Sequence, residues 1–148
     1  MQAAIGCAQL EKLDTIVAAR RKNWASLHEG LKDMEQLILP EAEANSNPSW
    51  FGFLVAVKED VGFTRNELTS FLESRKIQTR NLFAGNLIKH PAFNEMRKIG
   101  EGYRVVGELK MTDFIMNNGF WIGVYPGMTD EMIDWMITSI REYCKNHK

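Results

Sequence analysis

Cysteine is scarce in this chain. Cys7 and Cys144 are the only two among 148 residues, one near each end. That usage excludes a disulfide framework and is the thiol content of a reducing compartment. Cys144 and His147 share helical i, i+3 spacing, but no second pair with ligand spacing accompanies them, so no metal site is predicted. Long apolar runs are also lacking. The longest, Trp50 to Val57 and Phe120 to Tyr125, fall well short of the roughly 20 residues that span a bilayer. The N-terminus lacks the basic-then-apolar pattern of a secretory signal, and a cytoplasmic protein without membrane contact is expected. An excess of one charge is missing as well. A net charge of −1 leaves no electrostatic footprint for nucleic acid.

Apolar material is plentiful. The hydrophobic fraction is 45%, with four Trp, eight Phe and eight Met, and a chain of this length buries about 70% of its unfolded surface in one core. A single domain over residues 1–148 is predicted. Leu10, Leu13, Val17, Trp24, Leu27, Leu31 and Met34 follow one helix face, giving one long amphipathic helix from Met1 to about Leu37. Its polar side, including Arg20, Arg21 and Lys22, reads as a solvated face. Pro40 ends it, and a polar connection runs to Pro48.

Trp50 to Val57 reads as a strand apolar on both faces, with Phe51, Phe53, Val55 and Val57 on one side, and so as part of a covered sheet. Thr64 and Glu67 form a capping box for a helix that turns Leu68, Phe71 and Leu72 inward. Ile77 to Leu82 is a second strand, with a turn around Gly85. Pro91 opens a short helix through Met96. Thr112 and Asp113 cap another that ends near Asn118. Phe120 to Tyr125 is the third strand. Thr129 caps the last helix, with Asp130 and Glu131 set favourably against its dipole. The sum is an α+β two-layer sandwich: a small sheet of about three strands, packed helices and one long N-terminal helix.

Chemistry is sparse. The chain has no Gly-rich phosphate loop and no nucleophile elbow, and His28, His90 and His147 have no recognisable Ser or Cys partner. No catalytic or cofactor-binding residue can be assembled from it. The nearest thing to a site is Thr79 to Asn86, where a guanidinium, an aromatic ring and two side-chain amides converge on a Gly-containing turn. Arg80 suits bidentate binding of phosphate or carboxylate, and Phe83 suits stacking on a sugar or base. On residue physics alone, an Arg80 that makes a local salt bridge is an equally good account, and His90 is a loop histidine without a role.

Four segments together resemble a known family: Met1-Gln2-Ala3-Ala4-Ile5-Gly6 running into Gln9 to Leu13, Trp50-Phe51-Gly52-Phe53, Gln78 to Leu87, and Phe120 to Thr129. The first and last are similar to the sugar aminotransferases of the DegT/DnrJ/EryC/StrS type, which have a pyridoxal-phosphate fold. The middle two, with Tyr103 to Leu109, resemble its 3-dehydrase branch, which removes the C3 hydroxyl of CDP-4-keto-6-deoxyglucose in lipopolysaccharide biosynthesis. The resemblance implies that this chain is the C-terminal small domain of such an enzyme, and that the large N-terminal domain with the cofactor and catalytic histidine is absent.

It further implies pyridoxamine or pyridoxal phosphate in the full-length protein, in some members a 2Fe-2S cluster, a CDP-sugar substrate, a flavin/iron-sulfur reductase as partner, and a homodimer. No cofactor is expected on this fragment, which is predicted to be inactive alone. Arg80, Phe83 and Asn86, with His90 beside them, are implied as substrate contacts. The dehydrase branch tends to have a basic residue where this chain has Phe114, so the substrate here is open to difference. Two alternatives stand beside this reading. One is a sugar aminotransferase, against which Phe83-Ala84-Gly85-Asn86 argues; the other is a free-standing small-molecule-binding or dimerisation module.

Overall fold

In a computed structural model, which describes residues 2–147, six α-helices accompany one four-stranded antiparallel sheet. The helices are α1 (Gln2–Leu10), α2 (Leu13–Leu31), α3 (Arg65–Ser74), α4 (Asn94–Ile99), α5 (Lys110–Asn118) and α6 (Asp130–Asn146). The strands are β1 (Leu37–Ile38), β2 (Gly52–Val57), β3 (Thr79–Asn81) and β4 (Gly119–Gly123), in spatial order β1-β2-β4-β3. The α+β class is as the sequence indicates, but the sheet has one strand more than expected. Leu37–Ile38 lies at the end of the stretch assigned to the first helix, and it pairs with Val57 and Ala56 instead.

The first helix is not continuous. The chain turns at Glu11 and Lys12, and α1 buries none of its side chains, Ile5 and Leu10 included. Its apolar residues therefore have the spacing of a helix face without a core to face. Met1 lies outside the described residues. On α2, Leu27 and Leu31 are fully buried. Arg20 and Arg21, read from sequence as a solvated face, donate instead to backbone carbonyls of the connection to β2. Arg20 Nε reaches the Trp50 carbonyl at 2.6 Å, and Arg21 Nη2 reaches that of Asn47 at 2.6 Å. A polar connection has few partners of its own, and these guanidinium groups satisfy its carbonyls.

Strand alternation sets the core. Register places Phe53 and Thr79 on either side of Ile122, and Val55 and Asn81 on either side of Phe120. Phe53, Val55, Phe120 and Ile122 are buried in one cluster with Leu68 and Leu72 of α3 and Ile133 and Ile140 of α6. Phe51, expected on this inward face, lies before the strand and is 73% exposed. The reason is local: Trp50 takes a positive φ of 55°, which breaks the alternation just before β2 begins. The Trp50 indole stacks on Trp24 at 4.1 Å between ring centroids.

The helix starts follow side-chain chemistry where a hydroxyl is available. Thr64 and Glu67 make the expected reciprocal capping box, and Thr129 accepts from the Met132 amide. The third expected cap is not used. Helix α5 begins at Lys110 behind Leu109, which is left-handed at φ 54°, without a side-chain cap. Between β3 and α5 the chain forms two short 3-10 turns, Leu87–Lys89 and Pro91–Phe93, and then α4. The helix expected from Pro91 thus starts as a 3-10 turn and becomes α-helical only at Asn94.

Candidate functional site

The antiparallel register gives the sheet a second face. Leu54, Trp121 and Arg80 are cross-strand neighbours on it, since Leu54 pairs with Trp121 and Trp121 with Arg80. This face lacks the cover that the core face has. Trp121 is only half-buried and Arg80 is exposed. The Trp121 indole organises what surrounds it. Phe51 packs against it at 4.9 Å and Phe83 meets it edge-on at 5.3 Å between centroids. Arg20 lies over the Phe51 ring at 5.9 Å. A Cβ on Gly52 would come within 3.0 Å of the Trp121 ring, so the indole lies down on β2 only because position 52 has no side chain.

Phe83 is 80% exposed and left-handed at φ 45°. A large apolar ring held outward in a conformation that favours glycine costs stability in two ways. Such a feature is the kind that ligand-facing loops carry.

From Arg80 and Trp121 a cleft of about 480 Å³ runs between the Gly52–Gly123 end of the sheet and helix α6, bordered by Tyr125, Met132 and Trp135. Two cations border it, Lys76 and Arg80, together with the amide of Gln78. No carboxylate lines it, and among the described residues neither Lys76 nor Arg80 takes part in an ion pair. Aromatic walls with uncompensated positive charge favour a ligand that joins an apolar ring to an anion.

The sequence-derived site residues separate into two groups. Arg80 and Phe83 share the open face around Trp121. Asn86 does not point to it: at 4% exposure it is buried, and its Nδ2 donates to Asp113 Oδ1 at 2.7 Å. His90 is half-buried in the loop, with a ring nitrogen on the Ala84 carbonyl. Sequence reasoning missed Phe51 and Trp121, both read as strand residues. It also missed Arg65, hidden inside its capping box, and Asp113, taken as a helix cap. The sequence signal for Phe51 is its place before Gly52, the one glycine in an otherwise apolar strand.

Asp113 also receives Lys89 Nζ at 2.7 Å. The Lys89 ammonium, with Asn86 adding to it, holds the Asp113 carboxyl below the usual carboxylate range. At the root of the same excursion, buried Arg65 donates from Nη1 to Asn81 Oδ1 at 2.7 Å and to the Gly119 carbonyl at 2.9 Å. Burial lowers its pKa, and it remains charged at any working pH.

Fold and face together define a small α+β domain that presents an aromatic, cationic surface on one side of its sheet. The chain belongs to the DegT/DnrJ/EryC1/StrS aminotransferase family, whose sequence pattern matches residues 1–141. It is 48% identical over 143 residues to dTDP-4-dehydro-2,6-dideoxy-D-glucose 3-dehydratase of Saccharopolyspora spinosa, covering 97% of this chain and 30% of that one. It is 49% identical over 144 residues to the lipopolysaccharide biosynthesis protein RfbH of Salmonella typhimurium, covering 97% and 32%. The structure of the Escherichia coli GDP-4-keto-6-deoxy-D-mannose-3-dehydratase with bound hydrated pyridoxal phosphate superposes with a TM-score of 0.79 at 28% identity, covering 93% of this chain and 34% of that one. The chain thus spans about a third of the length of the curated relatives it matches.

Pyridoxal phosphate needs a carboxylate or similar partner for its ring nitrogen and a cup of amides and hydroxyls for its phosphate. The cleft here has no carboxylate and one hydroxyl, that of Tyr125. The lining of this cleft does not fit the cofactor. Among the described residues, no group of three or more His, Cys, Asp or Glu side chains is placed to hold a metal ion, and no helix is long and apolar enough to cross a membrane.

Proposed function

We propose that this chain is the C-terminal, substrate-facing domain of a sugar-nucleotide 3-dehydratase that uses pyridoxamine or pyridoxal phosphate and makes 3,6-dideoxysugars for lipopolysaccharide O-antigen. The observation that carries the proposal is Arg80, exposed and, among the described residues, without a carboxylate partner, on the open sheet face beside Trp121 and Phe83. In this reading the guanidinium takes the diphosphate of a CDP-sugar, and the exposed rings take the flat base or the apolar face of the sugar. The names of the relatives support the reaction class. Phe114 on α5 stands where the dehydrase branch tends to have a basic residue, so the sugar nucleotide accepted is open to difference from that branch.

The rest of the proposal follows from the same reading. A large domain supplies the cofactor and the histidine that takes the proton, so the chain alone has no activity. The working protein is a cytoplasmic homodimer served by a flavin/iron-sulfur reductase.

Steady-state kinetics of the full-length enzyme test the reading. Arg80→Ala raises KM for the CDP-sugar or slows turnover, by about tenfold or more for a lost charge-assisted pair. Unchanged kinetics remove Arg80 from the site.

A further inference from the structure

The chain leaves the sheet at Asn81 and returns to it at Gly119. Phe83 lies on this excursion, and one carboxylate ties its two limbs together. Asp113 sits in the first turn of α5, where its charge would ordinarily complement that helix's own amides. Its two oxygens are directed elsewhere: Oδ1 accepts from Asn86 Nδ2 and Oδ2 from Lys89 Nζ, both at 2.7 Å. Helix α5 begins without a side-chain cap while the carboxylate in its first turn bridges to the loop after β3. The same loop is held at two further points. The Asn86 backbone N–H donates to Met116 Sδ at 3.2 Å, and Gly85, at φ +60°, presses so close that a Cβ there would lie 2.6 Å from Met116 Cγ.

Resting on the assignment of Arg80 and Phe83 to the substrate face, we infer that Asp113 is a positioning residue for that face: by gripping Asn86 and Lys89 it fixes the 82–90 loop on α5 and pre-sets Phe83 against Trp121. Asn86 acts through this bond and not by touching substrate. A loop ordered before the ligand arrives spares the ligand the cost of ordering it. Losing the grip therefore weakens binding more than it slows the chemical step, which lies outside this loop.

Kinetics and hydrogen exchange of the full-length enzyme test this together. Asp113→Ala is expected to raise KM by about tenfold with a smaller change in kcat, and to speed exchange of the amides of residues 86–90 while Phe53 and Phe120 stay protected. Asn86→Asp opposes two carboxylates and gives the same defect. The reciprocal pair, Asn86→Asp with Asp113→Asn, restores one amide-to-carboxylate bond in reverse and brings KM most of the way back to the parent value. A merely structural Asp113 would lower the melting temperature and leave KM where it was, and that result overturns the inference. So does an Asp113→Ala enzyme whose 86–90 amides exchange as in the parent. If Arg80→Ala is silent while Asp113→Ala acts as described, the fault lies in assigning Arg80 and not in the grip.

Discussion

Replacing Arg65 by methionine is the sharpest test of how the excursion is rooted. A cation in the first turn of α3 is opposed by that helix's dipole, by about 0.3–1 kcal/mol, and its burial costs more. What offsets this is a set of hydrogen bonds: Nε to Asn66 Oδ1 at 2.7 Å, and Nη1 to Asn81 Oδ1 and the Gly119 carbonyl. Asn66 and Asn81 are exposed and regain water when the guanidinium goes, whereas Gly119 is buried. One orphaned buried acceptor and two weakened contacts cost about 2–3 kcal/mol, less some packing recovered by the thioether stem. In a domain of this size that lowers Tm by about 6–9 °C. Differential scanning calorimetry measures it, and hydrogen exchange localises it to β3 and the start of β4. Arg65→Lys falls between, because one ammonium cannot serve acceptors on both sides of the strand pair. An Arg65→Met protein melting within about 2 °C of the parent would refute the reasoning, and would mean that desolvating the guanidinium cancels its bonds.

Three further outcomes are expected. Gly85→Ala meets both a positive φ and the Met116 side chain and lowers stability by about 2–3 kcal/mol in urea titration; adding Met116→Ala returns part of it, and no return would place the strain elsewhere. A thiol reagent modifies exposed Cys7 in the folded chain but not Cys144, which is buried with its thiol pushed up to about 11 by burial; equal rates at both cysteines would contradict the packing of α6. The hydrogen bonds from Arg141, at 2.6 and 2.7 Å, hold the Asp33 carboxyl at about 2 against an ordinary 3.8. Because the folded value is the lower one, the unfolded chain binds more protons in this range, so the stabilisation is present above about pH 4 and is lost as pH falls toward about 2. Asp33→Asn should flatten that part of the stability profile, and an unchanged slope would assign the acid sensitivity to other carboxylates.

Much of the local structure was legible without coordinates because its causes are local. Thr64 with Glu67, and Thr129 ahead of an apolar face, announce helix starts wherever they occur, since a hydroxyl or carboxylate satisfies an amide three residues away. Phe53, Val55 and Val57, two residues apart in an extended run, share the buried side of β2, whereas the apolar residues of its other side suggested a cover that the open face lacks. Arg80 and Phe83 were identifiable as site candidates because a guanidinium and an aromatic ring stand together at a strand end and the Gly-containing turn after it.

What the sequence could not hold is which partner each side chain finds across space. Leu10 and Leu13 have the spacing of a buried helix face and stay exposed, because burial needs a second surface that periodicity does not report. Phe51 reads as core until Trp50 takes a positive φ and turns it outward. Asp113 looks like a cap by position, yet its oxygens reach residues 24 and 27 places earlier in the chain. The sequence alone determined the α+β class, the capped helices and the candidate loop, all from interactions within a few residues. Only the tertiary structure decided that Trp121 anchors the open face and that Asn86 is buried with its side-chain amide on Asp113, because those outcomes depend on strand register and on contacts between distant segments.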